Sequence, residues 1–389
     1  VALITTSRAD WGIYRPLARR LEAHPELELA LVAGGAHLAP ELGLTVREIE
    51  AEGFAPAARV ECLDAGDDRL AMARGLGRAA EGFAAALDGL TPDMAVVLGD
   101  RFEMFAAAAA AAALGLPLAH LYGGELTYGA VDELFRHAMT KLSHLHFTAT
   151  GEYARRVVQM GEEPWRVTVC GALGLDNLEE MELLDRPALE AELGLALEPA
   201  PLLVTMHPET ATGASPGEQL AELLAALEAA GRPVIFTLPN ADAGGRETKE
   251  LIQRFCRERP WARVRDNLGS LRYFSLMRHA AAMVGNSSSG VIEAPSLGLP
   301  VVNLGSRQEG RVRAANLVDC PVERGAIGRA LKRALAPEFR AGLAGLANPY
   351  RARQGGAAGI IARRLARADL GEGLLVKRFH DLEPGPTGW

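Results

Sequence analysis

The stretch Met94–Arg136, MAVVLGDRFEMFAAAAAAAALGLPLAHLYGGELTYGAVDELFR, constrains the fold more than any other part of the chain. It runs as apolar segment, acidic turn, alanine-rich segment, apolar segment, acidic glycine loop and helix-forming segment. Met94-Ala95-Val96-Val97-Leu98 breaks off at Gly99-Asp100-Arg101, and Leu118-Ala119-His120-Leu121-Tyr122 breaks off at Gly123-Gly124-Glu125. Short unbroken apolar runs joined by helical segments are the pattern of buried parallel strands. Such sheets gather reactive groups outside the carboxyl ends of their strands. Asp100 and Glu125 are therefore expected side by side at one crevice, with Asp132 and Glu133 at the mouth of the next helix. Like charges held together cannot all ionise cheaply, so the carboxyls should raise each other's pKa and suit proton transfer. The alternative for Asp100 or Asp132 taken singly is a helix cap.

The same alternation runs through the rest of the chain. Val1–Thr5 reads as a strand leading through Thr6-Ser7-Arg8-Ala9-Asp10 into a helix over Ile13–Leu21. No GxGxxG follows it, so a dinucleotide fingerprint is absent. Arg8 stands where a helix start could help it meet an anion, with an ordinary surface arginine as the alternative. Leu27–Ala33 predicts a second strand, Ile49–Val60 is irregular, and Arg69–Leu90 has helical periodicity. Strands at His146–Thr150 and Val167–Val169 flank a helix over Glu152–Met160. Asp185–Pro201, with Pro187, Pro199 and Pro201, reads as a boundary. The alternation then restarts with strands Leu202–Met206, Val234–Leu238, Ala262–Arg265, Ala282–Val284 and Val301–Leu304. Helices are expected over Glu218–Ala230, Thr248–Glu258, Leu271–His279, Val291–Leu297, Arg324–Leu335 and Ile360–Ala368. The fold class is α/β, with doubly wound sheets. The expected division is 1–185, 186–365 and a tail, 366–389.

Composition narrows the function. A chain of 389 residues exceeds one ordinary core, and 49% hydrophobic with 23% charged residues is globular. A net charge of −8 argues against a general nucleic-acid binder. The four cysteines, Cys62, Cys170, Cys256 and Cys320, are scattered without a CxxC pair, as in a reduced cytoplasmic protein without a zinc site. No apolar run reaches the ~20 residues of a membrane span, and Val1–Thr5 reads as core strand, so no signal peptide is expected.

The second half supplies the sharpest local motif after the centre, Gly285-Asn286-Ser287-Ser288-Ser289-Gly290. Small hydroxyl and glycine residues between a strand and a helix start present backbone N–H groups to phosphate. Glu293, one turn on, is placed to accept from a ribose diol. His207 ends one strand, and Arg307 and Arg311 follow another. Donors for a diphosphate thus lie in one half and acid and base groups in the other.

Taken in order, Ser7-Arg8-Ala9-Asp10, Gly99-Asp100-Arg101-Phe102-Glu103, Gly123-Gly124-Glu125, Asp132-Glu133-Leu134-Phe135-Arg136-His137, His207-Pro208, Pro239-Asn240-Ala241-Asp242-Ala243-Gly244, Gly285–Gly290 and Asn303-Leu304-Gly305-Ser306-Arg307-Gln308 resemble one family. It is the hydrolysing UDP-N-acetylglucosamine 2-epimerase family, in its sialic-acid and legionaminic-acid branch. The resemblance spans residues 1–365. It implies a GT-B-like pair of Rossmann-like domains facing each other across a cleft, with C-terminal helices crossing back. It implies conversion of UDP-GlcNAc and water into UDP and N-acetylmannosamine, through a 2-acetamidoglucal, without a cofactor or dedicated metal. Carried over by motif, Asp100, Glu125, Asp132 and Glu133 become the acid/base candidates, with Glu125 preferred over Asp100 as the C2 base. His207 becomes a candidate acid and phosphate contact. Arg8, Arg101, Asn240, Asp242, Ser287, Ser288, Glu293 and Arg307 become the substrate-binding set. The expected partner is a UDP-sugar, in a cytoplasmic homodimer or higher homo-oligomer. Relatives in legionaminic-acid pathways share these motifs and act on UDP-2,4-diacetamido-2,4,6-trideoxyglucose, so the sugar stays open between the two. A non-hydrolysing epimerase, a GT-B glycosyltransferase and a non-catalytic nucleotide-sugar sensor are the competing readings.

Overall fold

Seven strands make the first sheet: β1 (Ala2–Thr5), β2 (Ala30–Gly34), β3 (Ala58–Val60), β4 (Ala95–Leu98), β5 (Leu118–Leu121), β6 (Leu145–Thr148) and β7 (Val167–Val169). All pairings are parallel, in the order β3-β2-β1-β4-β5-β6-β7. The structure is a computed structural model that describes residues 1–64, 66, 68–128, 130–207, 215–238, 245–265 and 268–382. Every residue of β1, β4, β5 and β6 is buried, which is why these strands read as unbroken apolar runs. Strand order reverses between β1 and β4, so the turns after them flank a topological switch point, where open α/β sheets hold ligands. The alanines of helix Phe102–Ala113 let it pack closely on helix Arg69–Leu90, with Ala106, Ala107, Ala108 and Ala111 fully buried.

The second sheet repeats the plan. Its strands are β8 (Leu202–Thr205), β9 (Val234–Thr237), β10 (Ala262–Arg265), β11 (Ala282–Gly285), β12 (Val301–Leu304) and β13 (Leu317–Cys320). They are parallel in the order β10-β9-β8-β11-β12-β13, with the reversal between β8 and β11. Leu202, Val204, Val234, Phe236, Val284 and Val302 form its core.

Local departures from the sequence reading have local causes. Ile49–Val60 is not irregular throughout: a helix covers Val46–Ala51, and β3 follows. Both are too short to show a period. The edge strand β13 was not foreseen, because its polar Asp319 faces solvent and interrupts the apolar run. The helix expected over Val291–Leu297 is one α-turn, Ser289–Ile292, and a 3₁₀ turn, Ala294–Leu297. Pro295 has no N–H to continue the α ladder.

Two compact units divide the chain: residues 1–177 with the segment from Tyr350 onward, and residues 178–349. The boundary expected at 365 falls earlier, at 349, because helix Gly356–Ala366 packs on helix Arg8–Glu22 of the first unit, the crossing back that the resemblance implies. The Asp176 carboxylate fastens it, accepting from Ala357 N at 2.9 Å and Ala358 N at 2.7 Å. Further on, the fully buried Arg166 donates to the carbonyls of Leu374 (2.8 Å), Gly373 (3.2 Å) and Val376 (3.0 Å). The proline-bearing stretch after Asp185 holds a helix, Arg186–Leu193, capped by Asp185 with Pro187 in its first turn, where a missing N–H costs nothing. Among the described residues, no helix is long and apolar enough to cross a membrane. No group of three or more His, Cys, Asp or Glu among them is arranged to hold a metal ion.

Candidate active site

In the first unit the turns after β4 and β5 set the geometry. Gly99, at φ 76°, takes the chain out of β4, and its N–H donates to Leu121 O at 2.9 Å, extending the ladder to the edge of Asp100. After β5, Gly124 has φ 79°, and a Cβ there would stand 2.3 Å from the Tyr153 carbonyl oxygen, so only glycine allows this approach. Arg156 donates to Gly124 O at 3.0 Å. Glu125 emerges from this turn 5% exposed.

Arg136 ties the cluster together. Its side chain is 2% exposed. It bonds to the Asp100 carboxylate, to Glu133 at 2.6 Å, to the Thr127 hydroxyl at 2.8 Å and to the Glu125 carbonyl at 3.0 Å. Glu133 is fully engaged: besides Arg136 it accepts from Thr127 N at 2.7 Å and faces His137 Nε2 at 3.3 Å. Its carboxylate thereby fixes the loop that follows Glu125. Asp132 is half-buried, and burial first, then the Asp100 charge, raises its pKa, against the pull of Arg101 and Arg136. Arg101 pairs with the fully buried Glu103 at 2.8 Å, and Glu103, Asp10 and Asp132 raise its pKa although burial opposes them. The grouping is therefore not a bare cluster of acids: two arginines are interleaved with the carboxylates. The spacing alone pointed only to mutual repulsion. Arg136 had stood in the motif without a role, and its signal was a basic residue one turn past an acidic helix start.

Arg8 lies at the first position of helix Arg8–Glu22 and pairs with Glu48 at 3.2 Å. The adjoining turn is closed by Asp10, whose carboxylate accepts from Thr6 N at 3.1 Å and from the Thr6 hydroxyl at 2.8 Å.

In the second unit, β8 and β11 approach so closely that a Cβ on Gly285 (φ 135°) would lie 1.8 Å from Thr205 O. Just past this point Asn286 and His207 are locked together: His207 N donates to Asn286 Oδ1, and Asn286 Nδ2 to His207 O, both at 2.8 Å. Gln308 Nε2 donates to Asn286 O at 2.8 Å. Ser287 Oγ accepts from Ser289 N at 3.3 Å, whereas Ser288 makes no side-chain cap, contrary to a simple serine-capped helix. Tyr273, which no sequence signal singled out, faces Ser289, Ser287 and Thr205, and burial pushes its phenol up to about 12. Burial also pushes Glu293 up to about 7, against the Ser289 hydroxyl, its own N–H and Arg311. The Glu293 Oε2 atom is shielded from solvent and has no hydrogen-bond partner among the described residues. It is suited to receive a hydroxyl donor, as a diol would supply. Arg307 follows β12 on the same carboxyl-end side of this sheet. Asn240 and Asp242, with Pro208, Glu209 and Thr210, lie outside the described residues.

Comparison with known proteins now adds to this geometry. The UDP-N-acetylglucosamine 2-epimerase family pattern matches residues 19–366. A GDP/UDP-N,N'-diacetylbacillosamine 2-epimerase (hydrolyzing) from Campylobacter jejuni is 39% identical over 324 residues, 83% of this chain and 84% of that one. A UDP-N,N'-diacetylbacillosamine 2-epimerase (hydrolyzing) from Legionella pneumophila is 36% identical over 335 residues, covering 86% and 88%. The crystal structure of a Neisseria meningitidis UDP-GlcNAc 2-epimerase bound to UDP-GlcNAc shares the fold, with a TM-score of 0.80, 19% identity and coverage of 94% and 99%. The chain belongs to the UDP-N-acetylglucosamine 2-epimerase family and is an enzyme of its hydrolysing branch.

Proposed function

We propose that the protein converts a UDP-2-acetamido-2-deoxy sugar and water into UDP and the free C2-epimeric sugar, and that it works as a cytoplasmic homo-oligomer. The observation that carries the reading is the set of carboxylates after β4 and β5, with Asp132 disposed to hold a proton and Asp100 pinned by Arg136. In the first step a base takes the C2 proton, the C–H electrons form a C1=C2 bond, and the C1–O bond breaks to release UDP. Glu125 is assigned as that base, ahead of Asp100, because its turn is fixed from two sides, by Arg156 and by Arg136. In the second step water adds at C1 and a proton returns to C2 on the opposite face, which inverts that carbon. Asp132 is assigned as the proton donor, and Glu133 as the anchor of the Glu125 loop. Positioned acids and bases and neutralisation of the leaving diphosphate both lower such a barrier. The diphosphate is assigned to Ser287, Ser288, His207 and Arg307, the ribose to Glu293, and further substrate contacts to Arg8, Arg101, Asn240 and Asp242.

Of the two sugars, UDP-2,4-diacetamido-2,4,6-trideoxyglucose is supported by the 39% and 36% identical relatives, both diacetylbacillosamine 2-epimerases. UDP-GlcNAc is supported by the family match. The test is incubation with each UDP-sugar in deuterated water. UDP release with deuterium at C2 of a manno-configured product is expected, and the sugar turned over with the higher kcat/KM is the substrate. UDP release without C2 label excludes elimination. Release that depends on an added acceptor makes the protein a glycosyltransferase.

A further inference from the structure

His120 lies on β5, fully buried, and is not one of the groups assigned above to acid–base work or to UDP. Its Nε2 stands 2.8 Å from the Gly99 carbonyl, and its Nδ1 stands 3.3 Å from the Thr140 hydroxyl. A carbonyl only accepts, so Nε2 carries the proton. The Thr140 hydroxyl is also 3.1 Å from the Arg136 carbonyl, so its one hydrogen serves either that carbonyl or the Nδ1 lone pair, and the Arg136 guanidinium holds Asp100. These contacts close a ring: His120, Gly99, Asp100, Arg136, Thr140 and back to His120.

The ring reaches the second turn as well. A Cβ on Gly123 would lie 3.1 Å from Thr140 Oγ1 and 3.2 Å from His120 Nδ1, so the backbone ahead of Glu125 rests directly on this pair. Arg136 also takes the Glu125 carbonyl. Gly99 has its N–H on Leu121 O and its C=O on His120, so β5 holds both main-chain groups of the residue that launches Asp100. Tyr122, between His120 and Gly123, sits at φ 67°, a left-handed conformation that a tyrosine keeps only when its surroundings impose it.

We propose that His120 is a positioning residue that sets the separation of Asp100 and Glu125 by fastening the Gly99 turn to the Gly123 turn. The imidazole stays neutral while it does so: burial holds its pKa down at about 3, and His146, Arg136 and His137 oppose a positive charge there. A neutral ring with one N–H and one lone pair can face a carbonyl on one side and a hydroxyl on the other. A charged ring would lose the lone pair.

This inference rests on the proposed elimination for its kinetic arm, and has a second arm that does not need turnover. His120→Phe keeps an aromatic ring and deletes both ring-nitrogen contacts, whereas His120→Gln restores an N–H donor. Thr140→Val removes the hydroxyl with little change in volume. In the kinetic arm, His120→Phe and Thr140→Val are expected to lower kcat at least tenfold, with the UDP Kd within about twofold of wild type. His120→Gln should recover most of the loss, and the pH limbs of kcat should not move. In the other arm, hydrogen exchange of residues 99–101 and 122–125 should accelerate at least tenfold in His120→Phe, with exchange in β1 unchanged. Unaltered exchange in those turns, or equal acceleration throughout β1, β4 and β5, overturns the proposal whether or not the enzyme turns over. A wild-type protein that releases no UDP from either sugar, yet shows the local acceleration, overturns the functional reading and leaves the positioning ring supported.

Discussion

The side-chain amide of Asn286 satisfies both main-chain groups of His207, accepting from its N–H and donating to its C=O at 2.8 Å each. It does for His207 what a neighbouring strand would do, so the pairing of β8 with β11 is carried past the ladder to the histidine. Asn286 is fully buried, and leucine has the same branching and number of side-chain heavy atoms but neither polar atom. Asn286→Leu should therefore strand two backbone groups, costing roughly 2–4 kcal/mol of stability. Denaturant unfolding measures the loss, and UDP affinity should fall with it because His207 is no longer held. A change below about 1 kcal/mol would mean that water replaces the amide at no penalty.

Arg136 offers a test of geometry against charge. Lysine keeps the positive charge but cannot present a planar fork to Asp100, Glu133, the Thr127 hydroxyl and the Glu125 carbonyl at once. Arg136→Lys should lower kcat by about a hundredfold or more and cost about 1.5–3 kcal/mol of stability, since the partly buried Asp100 and Glu133 lose charged hydrogen bonds. Steady-state kinetics and thermal unfolding of the same preparation check it. Near-normal turnover in Arg136→Lys would show that charge alone organises the cluster.

Glu293 makes a pH prediction with a definite sign. Its folded pKa of about 7 lies above the ordinary value for an unfolded glutamate, about 4.3, so the folded chain binds the extra proton. The group's contribution to stability is fully present below the unfolded pKa and is lost as pH rises through 7. Glu293→Gln, permanently neutral, should remove this term. The stability difference between variant and wild type should grow in the variant's favour from pH 4.5 to 7.5. A flat difference across that window, measured by denaturant unfolding at each pH, would sink the assignment. His120 has the opposite sense, because a histidine held down at about 3 contributes stability that disappears as pH falls below its unfolded value.

Much of this was written in the sequence, for physical reasons that also mark where reading stops. Strands buried on both faces read as unbroken apolar runs, and the glycine turns mark Asp100 and Glu125 as strand-end residues. Helix Gly356–Ala366 has a clear period, but its period does not say which unit it joins; only the resemblance implies that it crosses back, and Asp176 holds it from far away in sequence. The same limit hid Arg136 and Tyr273, whose roles depend on neighbours from other elements. Charge repulsion among the carboxylates was inferred from their types, but the interleaved arginines turn most of it into pairing.

The proposed division of labour between the two units yields the last prediction. Glu125→Gln keeps the size and polarity of the side chain but cannot take a proton, so it should remove a contribution made only in the transition state. Turnover should fall below detection while UDP affinity stays within about twofold. Arg307→Ala should do the reverse in binding, weakening UDP by about 1.5–3 kcal/mol as expected for a lost charged hydrogen bond. Its C2 exchange should persist at saturating substrate. Isothermal titration with UDP and deuterium incorporation into product measure the two quantities separately. Equal loss of UDP affinity in both variants would mean that Glu125 contacts the nucleotide rather than the sugar's C2, and the base assignment would pass to Asp100.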